Sequence, residues 1–270
     1  MATSQEQPDP LSPQALIAGY YADPAGRLSQ ARDLFNRTAK YYDPVNRLFS
    51  LGSGGWYRRR SLRRAGLRPG HRVVDIAVGT GLLAREALTI TGDARTVLGV
   101  DVSEAMLAIA RENLDIPLVE GAAEALPLAD ATADFVTMGY ALRHVADLVA
   151  AFREALRVLR PRGTIVLLEI STPRRRLSRA LAAGYIGGLV PMLSRLTTRD
   201  SRAHALLRYH WETIVNSVSP AAVMQALTDS GFGDVICETE LGLFRCYVGR
   251  KRRPNGSSAG ENARPGLQRG

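Results

Sequence analysis

Between residues 73 and 170 of this 270-residue chain, short apolar runs alternate with stretches whose apolar residues recur every three or four positions. Val73, Val74 and Ile76 form a compact β-branched run, the pattern of a strand buried on both faces. Leu82, Leu83, Ala84, Ala87 and Leu88 follow at helical spacing. A second run over 96–100 stops on Asp101, and Ser103 then caps a helix reaching Asn113. Further strands are predicted over 116–120, 135–140 and 164–170. Between them fall a tight loop at 121–127, a helix over 148–159 and a turn at 160–163. In that helix Leu148, Phe152, Ala155, Leu156 and Leu159 share one face. Regular alternation of this kind predicts an α/β fold, a Rossmann-like, doubly wound, mostly parallel sheet. A last helix over 220–230 precedes a terminal antiparallel strand pair, 235–240 and 243–249.

Two segments depart from the alternation. Residues 28–65 read as N-terminal helices, broken at Asp43-Pro44 and by the glycine-rich loop 52–55. Residues 173–218 read as a helical insertion after strand five, which forms a lid over the crevice. Residues 1–26 are Pro-rich and flexible, with a short helix over 11–21. Residues 27–250 form the main domain, and 251–270 form a disordered basic tail.

Composition narrows the function classes. With 46% hydrophobic residues the chain builds one substantial core. Its longest apolar run, 181–193, contains three glycines and a proline and is too short to span a bilayer. The N-terminus lacks the basic start and apolar stretch of a secretory signal, so a cytoplasmic location is expected. Cys237 and Cys246 have no metal-ligand spacing, which predicts reduced thiols and no metal site. The net charge of +9 suggests nucleic acid until it is divided along the chain. Six basic residues against Glu261 alone put five of those charges after residue 249. Arg174, Arg175, Arg176 and Arg179 border the apolar run. They read either as a solvated helix face or as a peripheral contact with an anionic membrane.

The candidate chemistry gathers at the strand ends, where ligands bind in such sheets. Gly79-x-Gly81-x-x-Ala84 fits the dinucleotide fingerprint, which alone is a weak signal. Asp75, four residues earlier, would repel a pyrophosphate. It suits a ligand bearing an ammonium group and no phosphate, such as S-adenosylmethionine, and Asp101 can accept both hydroxyls of a ribose. The plainer alternatives are a strand-end Asp satisfying turn amides and an ordinary strand-to-helix turn. The cofactor-binding candidates are Asp75, Gly79, Thr80, Gly81, Asp101, Val102, Met106, Ala122, Ala123 and Tyr140, with loop 121–127 against the adenine. Tyr140-Ala141-Leu142-Arg143 is not the Asn/Asp-Pro-Pro-aromatic motif that methylates base amino groups, so nucleic acid is not expected as substrate.

FNRTAKYYDPVNRLFSLG (35–52), VVDIAVGTG (73–81), LGVDVSEAML (98–107), AEALPL (123–128), ALRHVAD (141–147) and ALRVLRPRG followed by LLEIS (155–171) carry a resemblance. Over residues 31–249 the chain resembles class I S-adenosylmethionine-dependent methyltransferases, and more narrowly the ubiquinone/menaquinone-biosynthesis C-methyltransferase family. The resemblance implies methyl transfer to a small, aromatic or quinol-like hydrophobic acceptor, with C-methylation favoured. Arg143 would stabilise an oxyanion and His144 would titrate beside it, with Tyr42 and His210 as further catalytic candidates from the two lid regions. The alternative for each histidine is ordinary packing and hydrogen bonding. The chain departs from the family at Leu82 (usually Asp), at Ala122 (often acidic), at Arg143-His144 (usually Arg-Asn) and in loop 52–60, which lacks a His. These departures leave open a C-, O- or N-methyltransferase of specialised (secondary) metabolism acting on a polyketide, indole or terpenoid. They also leave open a relative that binds the cofactor without methylating. A homodimer is compatible with the sequence.

Overall fold

The structure is a computed structural model of the chain and describes residues 27–50, 53–170, 218–240 and 242–252, together with Gly184. Two helices, α1 (Arg27–Ser50) and α2 (Gly54–Arg64), precede the sheet. Then come β1 (Val73–Ile76), α3 (Leu82–Thr91), β2 (Val97–Asp101), α4 (Glu104–Asn113), β3 (Leu118–Glu120), β4 (Ala133–Gly139), α5 (Leu148–Val158) and β5 (Leu159–Ile170). After the insertion come α6 (Pro220–Asp229), β6 (Phe232–Glu240) and β7 (Phe244–Lys251). Among the described residues the sheet has seven strands in the order β3-β2-β1-β4-β5-β7-β6. The first five are parallel, and β7 runs antiparallel to both β5 and β6. The expected doubly wound, mostly parallel sheet with its terminal antiparallel pair is present.

Burial follows the two-residue period of the strands. Val74, Ile76, Val136, Ile165 and Leu167 pack on one face with Phe152 of α5 and Leu227 of α6. Val73, Phe135, Val166 and Leu168 pack on the other with Leu62 of α2, Leu83 of α3 and Leu107 of α4. A sheet covered on both sides explains why the strands read as continuous apolar runs. Asp75 is the exception inside β1, and β1 has β2 on one side and β4 on the other. Strand order reverses between β1 and β4, which opens the crevice at their carboxyl ends.

Several boundaries differ from expectation. Helix α1 passes through Pro44 instead of breaking there. Proline supplies no N–H to the ladder, but side-chain bonds from the part of the helix before it reach the loops after β1 and β2. The Ser103 hydroxyl donates to Asn36 Oδ1 at 2.6 Å, and the Thr80 hydroxyl donates to Asp43 Oδ1 at 2.6 Å. Gly54 and Gly55 belong to the first turn of α2, not to a loop. A Cβ on Gly55 would lie 2.9 Å from Glu86 Oε1 of α3, so a larger residue there would displace that carboxylate from its place beside Arg59. Residues 160–163 are an irregularity within β5 rather than a separate turn, with Arg162 at φ +68° and a register shift against β4. At the C-terminal end, β7 continues past 249. The Lys251 ammonium donates to the Leu156 and Leu159 carbonyls at 2.7 and 2.6 Å and closes the end of α5.

Cys237 pairs with Tyr247 and Cys246 with Glu238, which puts the two thiols on opposite faces of the β6–β7 ribbon. Both are free. The 11–21 helix, the 173–218 lid with its arginine cluster and His210, and the tail beyond 252 lie outside the described residues.

Candidate active site

The crevice is built where β1 ends. Ala77 at φ +54° and Gly79 at φ +56° turn the chain back, and Gly81 at φ +90° caps α3. Gly81 is required by space as well as by conformation, because a Cβ would stand 2.6 Å from Leu114 Cδ1. Ala77 and Tyr140 (φ +60°) are left-handed non-glycine residues at the adjoining ends of β1 and β4. Backbone of this kind costs on the order of 1–3 kcal/mol and concentrates at functional sites.

Asp75 is 1% exposed, and its Oδ1 accepts from the Thr137 hydroxyl at 2.7 Å. Its Oδ2 is buried with no hydrogen-bond partner. Burial pushes its pKa up to about 7, and the Thr137 bond offsets part of that rise. Facing the same small pocket, of about 320 Å³, is Arg58 of α2. It is 8% exposed, its guanidinium lies 5.2 Å over the Tyr140 ring, and no ion pair to it exists among the described residues. An unsatisfied carboxylate oxygen and an unpaired guanidinium in one pocket are costly unless a ligand matches both. An α-amino acid group, with its ammonium and carboxylate, does so.

Asp101 ends β2 with Oδ2 accepting the Gly79 N–H at 2.8 Å and Oδ1 accepting the Ser103 N–H at 2.9 Å. Burial raises its pKa, and these amides oppose the rise. Each oxygen keeps lone-pair capacity for a hydroxyl.

A larger cleft of about 670 Å³, open solvent included, continues from this pocket. Asp101, Val102, Met106, Gly121 and Ala123 wall one part; Phe35, Tyr42, Ala141, His144 and Val145 wall another. Gly79 and Tyr140 line both spaces, as does Tyr42, and Thr80 lines the smaller one. Burial raises the pKa of Tyr42 and pushes that of Tyr140 up to about 12, so both hydroxyls stay protonated at neutral pH.

Three candidates are placed otherwise. Ala122 is not in the cleft wall; it bridges to Ala125 and shapes the loop. Gly81 is likewise outside the wall and acts through the turn. Arg143, expected as an oxyanion donor, is not in the cleft wall: its Nη1 meets Glu169 Oε1 at 3.3 Å, with side chains 5% and 6% exposed. Its Nε donates to His144 Nε2 at 3.3 Å. A buried carboxylate on β5 draws the guanidinium inward, which no local pattern announces.

The reading of sequence missed Arg58, Phe35, Glu124 and Glu169. Arg58 carried a signal, since it shares the helical stripe of Leu62 and Ala65 and therefore faces inward. Phe35 meets the His144 ring edge-on at 5.0 Å, with centroids so separated and planes at 87°. Glu124 Oε1 accepts the Ala146 N–H at 2.9 Å and so ties the 121–127 loop to the segment after β4.

The Rossmann-like sheet with its glycine turn is the fold of an S-adenosylmethionine-dependent methyltransferase, and similarity to known proteins places the chain in that class. The chain belongs to the ubiE/COQ5 methyltransferase family, which it matches over residues 26–245. It is 32% identical over 224 residues to the ubiquinone/menaquinone biosynthesis C-methyltransferase UbiE of Coxiella burnetii (strain Dugway 5J108-111), covering 80% of this chain and 88% of that one. The Shewanella frigidimarina protein of the same name is 33% identical over 210 residues, covering 75% and 82%. Among solved structures, a Thermotoga maritima S-adenosylmethionine-dependent methyltransferase, a possible histamine N-methyltransferase, superposes with a TM-score of 0.57 at 22% identity. That match covers 82% of this chain and 99% of the other and speaks to the fold.

Proposed function

We propose that the protein transfers the methyl group of S-adenosylmethionine to a ring carbon of a small, quinol-like hydrophobic acceptor. The observation that carries the reading is the continuous path from the charged pocket of Asp75 and Arg58, past Asp101, into a cleft walled by Phe35, Ala141 and Val145. Asp75 would hold the ammonium, Arg58 the carboxylate and Asp101 the ribose hydroxyls. Gly121 and Ala123 border the adenine. The bound cofactor supplies an electrophilic methyl group. The chain's own residues align the acceptor at contact distance, exclude water with apolar walls and orient the acceptor's oxygen through His144 and Tyr42. Ring carbon attack forms the new bond, the electron pair of the broken bond stays on sulfur, and the ring proton leaves to water.

The relatives named C-methyltransferases support a quinol ring. His144, where the family usually has Asn, favours a second reading, in which the acceptor is a soluble specialised metabolite. The test is incubation with methyl-deuterated cofactor and a short-chain prenylated naphthohydroquinone bearing one free ring carbon. Mass spectrometry should show the label on that carbon, with its proton lost. Label on oxygen, or none, overturns the quinol reading.

A further inference from the structure

We propose that Glu169 is a positioning residue. Acting through Arg143, it holds His144 as the neutral tautomer with its proton on Nδ1, which makes His144 a hydrogen-bond donor in the cleft and not a base. The row is Glu169 Oε1 to Arg143 Nη1 at 3.3 Å, then Arg143 Nε to His144 Nε2 at 3.3 Å. Glu169 Oε1 is itself fixed by the Ile170 N–H at 2.9 Å at the end of β5. A guanidinium has donors and no acceptor, so the Nε2 it meets must offer a lone pair. A neutral imidazole with its lone pair at Nε2 carries its proton on Nδ1. Protonating Nε2 would set N–H against N–H and add a second cation beside Arg143.

The buried pair is otherwise hard to account for. Exchanging a buried ion pair for apolar residues is often neutral or favourable to stability, and its best use is to specify an arrangement. Here the arrangement specified is the orientation of His144, whose ring is also met edge-on by Phe35 of α1. A neutral imidazole N–H stabilises a developing oxyanion without protonating it. No bond is made or broken at His144. The tautomer rests on the geometry alone; its use toward an acceptor oxygen rests on the function proposed above.

The experiment is imidazole nitrogen NMR on the full chain labelled with 15N-histidine, with His144 assigned by the signal lost in His144→Gln. Wild type should show a protonated Nδ1 and a lone-pair Nε2 at neutral pH. Glu169→Gln should move His144 toward the Nε2–H form that free histidine prefers. With the naphthohydroquinone probe, that variant should lose on the order of tenfold or more in kcat, while KM and the cofactor Kd stay within about twofold. If Glu169→Gln fails to fold, Glu169→Gln with Arg143→Met removes both buried charges and should give the same tautomer change. An Nε2–H or doubly protonated His144 in wild type, or a tautomer indifferent to Glu169, overturns the proposal. If the probe is not methylated but the tautomer depends on Glu169 as stated, the quinol reading fails and the positioning role stands.

Discussion

Asp75 is the residue through which acidity should act on cofactor binding. Its pKa in the free protein is raised to about 7 by burial, whereas in the unfolded chain it is an ordinary carboxyl. A ligand ammonium favours the ionised form, so binding below pH 7 must release a proton. The cofactor Kd is expected to rise about tenfold per pH unit as pH falls below 7, with calorimetric heats that depend on buffer ionisation. Stability of the free protein follows the opposite sense. Because the folded pKa is the higher one, this group's contribution is most favourable at acid pH and is lost as pH rises through 7. Asp75→Asn should flatten both dependences and bind weakly throughout; a Kd for the wild type that is flat between pH 6 and 8 would remove Asp75 from the ammonium site.

Arg58 and Asp101 can be tested against parts of the ligand. Arg58→Met should cost about tenfold or more in affinity for S-adenosylhomocysteine, the loss of a charge-assisted bond worth ~1.5–3 kcal/mol. It should leave methylthioadenosine, which has no carboxylate, within about twofold. Equal losses for both ligands would make Arg58 a packing residue under Tyr140. For Asp101, Asn is a better probe than Ala, because Ala also strips acceptors from the Gly79 and Ser103 amides. Calorimetry of Asp101→Asn should show affinity reduced by about tenfold or more.

At the scale of elements, α5 and β7 are joined by Lys251. Its burial lowers its pKa, yet the ammonium meets two carbonyls at the helix end. A truncation after residue 249, where the sequence pattern places the strand's end, removes this cap and is expected to cost on the order of 1 kcal/mol. A truncation after 252 keeps it. Thermal melts of the two should therefore differ by a few degrees, and equal melting temperatures would show the cap to be idle. Helix α1 illustrates the converse. Its interior Pro44 argues for a break, but Asn36 and Asp43 fasten it to Ser103 and Thr80 in the loops after β2 and β1. A bond to a distant loop is invisible to periodicity, so the break was a sound local reading that tertiary contacts overrode.

For the whole molecule, the proposed cofactor pocket joins β1, β2, β4, α1 and α2 across the crevice. Ligand that binds only the folded form stabilises it by mass action. At a hundredfold excess over Kd the gain is about 2.7 kcal/mol, or roughly 5–10 °C in Tm for a chain of this size. Wild type should show this shift with S-adenosylhomocysteine, and Asp101→Asn should show a reduced one at the same concentration. The alternation of strands and helices, the glycine turn and the terminal carboxylate of β2 were legible because each rests on a pattern within a few residues. Apolar runs set the strands, a Gly-rich turn admits only certain backbone, and Asp75 interrupts a buried strand for a reason other than packing. What tertiary structure alone decided was which charges meet. Glu124 and Glu169 carry no signal in sequence, and neither the surroundings of Arg58 nor the partner of Arg143 can be read from it, because a charged side chain's meaning lies in its partner and its burial. Both are fixed by distant chain segments, as Tyr140 is for Arg58, brought together only when the sheet closes.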